Sequence, residues 1–376
     1  MKQKQDYYQF AKNGDFACGF NMPAALKSET TNGEEVAHGL PPYCQQNMFL
    51  VDDWTACPHN WLKSEGKTKS YFVPVLENMG MWLDFNKCNS KYHVAVVISI
   101  QGINPITGQM CSDFNLEQYK ESCPKHGDKF GPNRMCNKCG FKWPKQNYVC
   151  TTGTPSGAFW LDGFRTADGI VRQYILTEEK IRGVAHGLLG EEKVYSIGLS
   201  FFISKDPREE AEHNRNDYTV FFGDSFDSGD SFDSVSSAKW QSGPFYKKYD
   251  SYSSTTASYC SSVVPKSIDG AAADFTNEGM AIGGKLYCIG GESNTECMRS
   301  TRSIVQAKKL EIGAGAKISQ IVYNDPYELD FWRNDPEAII CINYCTTADS
   351  IKIFEGGRNE TQQEENGFLK NIQVGN

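Results

Sequence analysis

The stretch that most constrains this chain is Cys123-Pro-Lys-His126, followed after nine residues by Cys136-Asn-Lys-Cys139. Each pair has a two-residue gap, so each can sit across one tight turn and aim two soft donors at a common point. Gly127, Gly131 and Gly140 lie beside the pairs and supply the backbone angles that such turns require. Three thiolates and one imidazole suit zinc in a tetrahedron. With Cys123, His126, Cys136 and Cys139 as ligands, the shell is complete and no position stays open for water or substrate. The pattern therefore points to a structural zinc ion rather than a catalytic one. The bland alternative is a reduced, metal-free loop with incidental cysteines. Cys111 and Cys150 bracket the segment and are fallback ligands if His126 does not bind.

The surroundings of this knuckle are strand-like. Tyr71–Val75, Met81–Phe85 and Tyr92–Ile100 are apolar and rich in β-branched or aromatic residues. Pro74 favours an edge position for the first of them. Gly102–Gly108 reads as a turn. Phe159–Arg165 and Ile170–Leu176 flank Asp168-Gly169 and read as a hairpin. Thr177 is a candidate cap for a helix carrying Ile181, Val184, Ala185, Leu188 and Leu189 on one face. His186 falls roughly opposite that stripe. Val194–Ile203 is a further strand.

The expected fold class is α+β and predominantly β. A strand-rich N-terminal domain with one helix carries the zinc knuckle as an insertion, and a smaller all-β domain follows. The expected boundaries are an irregular arm over 1–50, a β-rich α+β domain over 51–205 with the knuckle at 123–139, an interdomain segment over 206–275, a β domain over 276–355 and a polar tail over 356–376. The interdomain segment contains the tandem repeat Gly223-Asp-Ser-Phe-Asp-Ser228 and Gly229-Asp-Ser-Phe-Asp-Ser234, whose composition has little core-forming content. Its Asp spacing does not match a calcium-binding loop. In the C-terminal part, Ser303–Ile312, Ala316–Tyr323, Ala338–Tyr344 and Ser350–Phe354 read as strands.

Net charge is −8, which disfavours a phosphate backbone as partner. The one basic concentration, Lys125, Lys129, Arg134, Lys138, Lys142 and Lys145, surrounds the knuckle and reads as a solvated face. No apolar run has transmembrane length, and the first residues lack the apolar core of a signal peptide. The 14 cysteines then read as reduced thiols or metal ligands of a cytoplasmic protein, with a virion or assembly-associated setting as a variant of that reading.

No catalytic motif stands out. Asp84 with His93 read as buried or hairpin-pairing residues. Asp162, Arg165 and Arg172 read as a cross-strand ion pair. Cys57-Pro-His59 lacks a second ligand pair nearby, and Cys341 and Cys345 read as core. The expected function is a non-enzymatic structural or self-assembling subunit of a filament, shell or virion-like particle, with zinc as its cofactor. Its partners would be other copies of itself or another protein, with neither nucleic acid nor membrane. The alternatives are an enzyme of unrecognised class with an interdomain pocket, or a zinc-dependent regulator that binds nucleic acid or protein.

Overall fold

The structure is a computed structural model and describes residues 8–39, 41–111, 113–152, 160–208 and 304–359. It is strand-rich, with two α-helices and two eight-stranded sheets among the described residues. The first sheet runs through Ala11–Asn13, Phe16–Pro23, Gly80–Asp84, Val171–Thr177 and Gly163–Arg165, with Tyr43–Gln45, Trp160–Leu161 and Glu311–Ile318 attached to it. The second runs through Gln109–Met110, Ile103–Asn104, Tyr92–Ile100, Ser196–Pro207, Ala338–Thr346, Thr68–Val75 and Phe49–Leu50, and Tyr148–Cys150 pairs with Tyr92–Ile100.

The alternation of side chains along a strand explains how these sheets pack. Val94, Val96, Ile98 and Ile100 point into the main core, where they meet Phe20, Leu83, Phe164 and Leu176 of the first sheet. Their neighbours Ala95 and Val97 point the other way, onto Tyr148, Cys150, Phe202 and Trp332. Phe201 and Phe202 split between the two cores in the same manner. Farther along the outer face, Phe72 and Cys345 pack under Trp54, Trp61 and Ile353. The second sheet is thus covered on both faces. This is why its central strands carry near-continuous apolar runs instead of a polar alternation.

Several elements depart from the sequence-based expectation. Within the expected N-terminal arm, Phe16–Pro23 is a strand buried at every position. Its small and unbranched residues fit between neighbours but lack the β-branched signature. Of the expected C-terminal domain, Glu311–Ile318 pairs along Val171–Thr177 in the first sheet, and Ala338–Thr346 lies between Ser196–Pro207 and Thr68–Val75 in the second. The described C-terminal strands therefore complete the sheets of the N-terminal half. The pairing of Ala338–Thr346 with Thr68–Val75 is parallel, and a parallel partner can come from anywhere in the chain. Thr68–Val75 is not an edge strand, because Phe49–Leu50 covers Tyr71 and Phe72 on its other side. That short partner stops before Pro74, so the missing N–H breaks no ladder bond there.

The two helices also differ from expectation. The chain stays extended through Thr177, makes a single 3-10 turn at Lys180–Arg182, and is α-helical only over Val184–Leu189. The apolar stripe splits accordingly: Ala185 is buried, whereas Ile181 is 90% exposed. At the C-terminal end, the expected strand over Ser350–Phe354 is part of a helix, Thr347–Glu355. Thr346 caps it by accepting a hydrogen bond from the Asp349 N–H. The segment from 209 to 303, which contains the tandem repeat and the glycine-rich stretch Met280–Gly291, lies outside the described residues, as does the tail from 360.

Candidate metal centre

Residues 111–147 leave the second sheet after Gln109–Met110 and return to it at Tyr148–Cys150. Within them the two ligand pairs fold into the same turn twice. The N–H of Gly127 donates to the Cys123 carbonyl at 2.7 Å, and that of Gly140 donates to the Cys136 carbonyl at 2.8 Å. The Cys123 N–H donates to Asp128, the fifth residue on, and the Cys136 N–H donates to Phe141, again the fifth. Flanking bridges repeat at the same offset, Ser122 with Lys129 and Met135 with Lys142. Both glycines have positive φ, +70° and +64°, and neither would press a Cβ against a neighbour. Glycine is thus needed for backbone angle rather than for space.

The donor atoms of Cys123, His126, Cys136 and Cys139 all lie within 4.8 Å of one another. His126 Nδ1 is 3.5 Å from the sulfurs of both Cys123 and Cys136, and the Cys123 and Cys139 sulfurs are 4.0 Å apart. Around a tetrahedral zinc ion with ordinary bond lengths, sulfur pairs would sit about 3.8 Å apart and sulfur–nitrogen pairs about 3.5 Å apart. These three spacings match such an ion, and the cluster could hold a metal ion such as zinc. Cys123 and Cys136 are fully buried, while His126 and Cys139 face outward. The sulfur of Cys136 accepts from the backbone N–H of Cys139, which holds its thiol down at about 6. Burial pushes the Cys123 thiol up. A cation between them would favour the thiolate form of both.

The module has its own small core. Phe141 and Trp143 pack with the two buried cysteines, and Tyr119 and Phe130 close over them. Trp143 meets Tyr119 edge-on at 5.1 Å and Phe141 at 5.0 Å. Arg134 ties the segment shut. Its guanidinium donates to the carbonyls of Trp143, Lys120, Tyr119 and Pro144 and lies 4.6 Å from the Phe130 ring. By sequence alone Arg134 reads as part of a solvated basic face. The available signal was its position between two aromatic-flanked ligand turns. Lys138 is also engaged, with Asp128 at 2.9 Å. Two of the six basic residues are thus committed to the module itself.

The other sequence candidates are not brought into one site. Cys150 is buried in the sheet and takes hydrogen bonds from Thr152 and Gln146, and neither it nor Cys111 belongs to the cluster. Asp84 lies on the first sheet and His93 on the second, where its ring lies tilted against Phe331 at 5.8 Å. Arg172 forms a two-pronged ion pair with Glu35, at 2.9 and 2.7 Å, rather than with Asp162. Asp162 is buried, and burial raises its carboxyl to about 7. Burial likewise pushes the Cys57 thiol up to about 12 and the Cys341 thiol to about 11, as expected of core thiols and not of nucleophiles. His186 is not free: its Nδ1 accepts from the Lys193 ammonium at 3.0 Å. Lys193 in turn pairs with Glu311 at 3.3 Å, both side chains being essentially inaccessible.

No helix among the described residues is long and apolar enough to cross a membrane. No family model, no curated protein and no solved structure matches this chain.

Proposed function

We propose that Cys123, His126, Cys136 and Cys139 hold one structural zinc ion, and that the chain is a non-enzymatic subunit acting through contacts with copies of itself or with another protein. The observation that carries the first part is the complete donor set on two turns that share the same closing backbone hydrogen bonds. Four protein ligands fill zinc's preferred shell, so the ion would hold structure rather than bind substrate. Two short loops tied by one ion form a rigid projection from the sheet edge, which is a suitable platform for a partner. The second part rests on the same closed shell, together with a wall of aromatic and charged side chains beside the module, described below.

The test is zinc content and oligomeric state on protein purified without chelator. One zinc per chain, with concentration-dependent assembly or capture of a defined protein, supports the reading. A zinc-loaded chain that remains monomeric at high concentration and turns over a substrate would overturn its non-enzymatic part.

A further inference from the structure

Pro124 and Lys125, in the turn from Cys123 to His126, form one wall of a cleft of about 180 Å³. Opposite it stands the loop that leaves the Gln109–Met110 strand. The cleft brings together Asp113, Glu117, Phe114, Tyr119, Trp143 and Lys125. Two carboxylates face one ammonium, so the lining carries a net negative charge. Phe114, Tyr119 and Trp143 add three aromatic rings to the lining.

This cleft is held in shape before any ligand arrives. Phe114 lies so close to Gly198 of the second sheet that a Cβ there would stand 2.6 Å from the ring. That contact fixes the loop to the sheet. Asn147, which is buried, takes a hydrogen bond from the Glu117 N–H at 2.8 Å and donates to the Asn115 carbonyl at 2.9 Å. The Tyr119 hydroxyl donates to the Glu117 carboxylate and holds it at the rim. Burial, and secondly this carboxylate, keep the Tyr119 hydroxyl protonated by raising it above its usual range. Trp143 is 3% exposed, and its indole N–H is buried without a hydrogen-bond partner.

The geometry points to a binding site for an arginine side chain presented by a polypeptide. A planar guanidinium stacks on aromatic faces and pairs with carboxylates in a fork, which an ammonium does less well. The volume suits one side chain and falls short of the several hundred Å³ that a drug-sized molecule needs. A polypeptide carrier adds backbone and side-chain-stem contacts with the apolar lining at Met110 and Pro124, which a free guanidinium lacks. Lys125 stands at the rim as a competing cation. This deepens the reading of the chain as a protein-binding subunit, by naming the chemistry of the partner.

The test uses zinc-supplemented full-length protein and follows the Trp143 indole N–H by NMR, assigned through Trp143→Phe. Acetyl-arginine amide should shift that signal and saturate at roughly millimolar concentration, as one side chain can supply. Acetyl-glutamate amide should not shift it, and methylguanidinium should bind more weakly than the arginine amide. Asp113→Asn and Glu117→Gln should each weaken binding about threefold, and together about tenfold. Lys125→Ala should tighten it. The effects of Lys125→Ala and Glu117→Gln have opposite signs for a cationic and an anionic ligand, so a reversal overturns the assignment. Equal shifts from the glutamate and arginine amides, or none from either, also overturn it. These exposed substitutions leave zinc content and oligomeric state to be read separately, so failure of the cleft is distinct from failure of the subunit reading.

Discussion

The two-sheet body and the knuckle module are held together by different physics. The body buries a continuous apolar core shared by both sheets, from Phe20 and Leu83 on one side to Ile98, Phe201 and Ile342 on the other. At about 25 cal/mol per Å², side chains of that size contribute roughly 2 kcal/mol each when buried. The module has four buried residues in its core, and two of them are cysteines. So small a core cannot offset the ordering cost of residues 111–147 by burial alone. Hydrogen bonds from Arg134 help, but a metal ion at the four ligands would supply the missing stabilisation. Metal dependence should therefore be local to the module, while sensitivity to core truncation should be a property of the body.

The largest expected effect breaks the module and spares the body. Removing zinc with a strong chelator should abolish hydrogen-exchange protection at Cys123, Gly127, Cys136 and Gly140, whose N–H groups close the two turns. Structural zinc sites contribute on the order of 10 kcal/mol of apparent binding energy, so protection should fall to the level of an open loop. Amides of Tyr92–Ile100 and Ser196–Pro207 should keep theirs. Loss of protection throughout both sheets would show that the body also depends on the ion.

The reverse experiment truncates the body. Phe201 is fully buried between the sheets, and Phe201→Ala should cost about 3–5 kcal/mol in denaturant unfolding. Zinc content should not change, because the ligands lie in a separate cluster. Coupled loss of zinc would merge the two regions into one cooperative unit.

A third test concerns the ion pair under the short helix. Lys193 and Glu311 are both buried, and Glu311 Oε2 has no hydrogen-bond partner. Lys193→Ala would leave a buried carboxylate uncompensated and should cost about 3 kcal/mol. Replacing both, as Lys193→Met with Glu311→Leu, should recover most of that loss. If the double variant is no better than the single one, the pair has a role beyond balancing charge.

The most local effect is one of pH. Burial raises Asp162 to about 7, far above an unfolded carboxyl near 4. The folded chain then binds more protons than the unfolded chain between about pH 4 and 7, so this residue's contribution to stability falls as pH rises through that window. Above it, the penalty is constant. Asp162→Asn should flatten that decline and leave the protein more stable than the parent at pH 8, read from urea midpoints. An unchanged pH profile would mean that Asp162 titrates normally in the fold.

These two regions also differ in how legible they were in sequence. The ligands could be read directly, because cysteine and histidine spacing is a local signal and the turn glycines sit beside it. The β-branched run Tyr92–Ile100 was equally plain. Phe16–Pro23 was not, since a buried strand of Phe, Ala, Cys, Gly and Met has no period to detect. Within the helix Thr347–Glu355, the window Ser350–Phe354 reads as a strand because Ile351, Ile353 and Phe354 are β-branched or aromatic. The useful signal was Thr346 followed three residues later by Asp349, a helix-start pattern. The placement of Ala338–Thr346 beside Thr68–Val75 had no local signature at all. It depends on which strand remains unpaired after the rest of the sheet has formed. In the same way, the clamp by Arg134 and the pair of Lys193 with Glu311 exist only once distant backbone converges.

The difference between module and body turns on the ion itself. Native mass spectrometry of the full-length chain, purified from zinc-supplied cells without chelator, should show one zinc per molecule. Cys136→Ser should show none, with the body still folded. A wild-type chain that carries no metal under those conditions would contradict the claim that these four residues form a zinc-held staple.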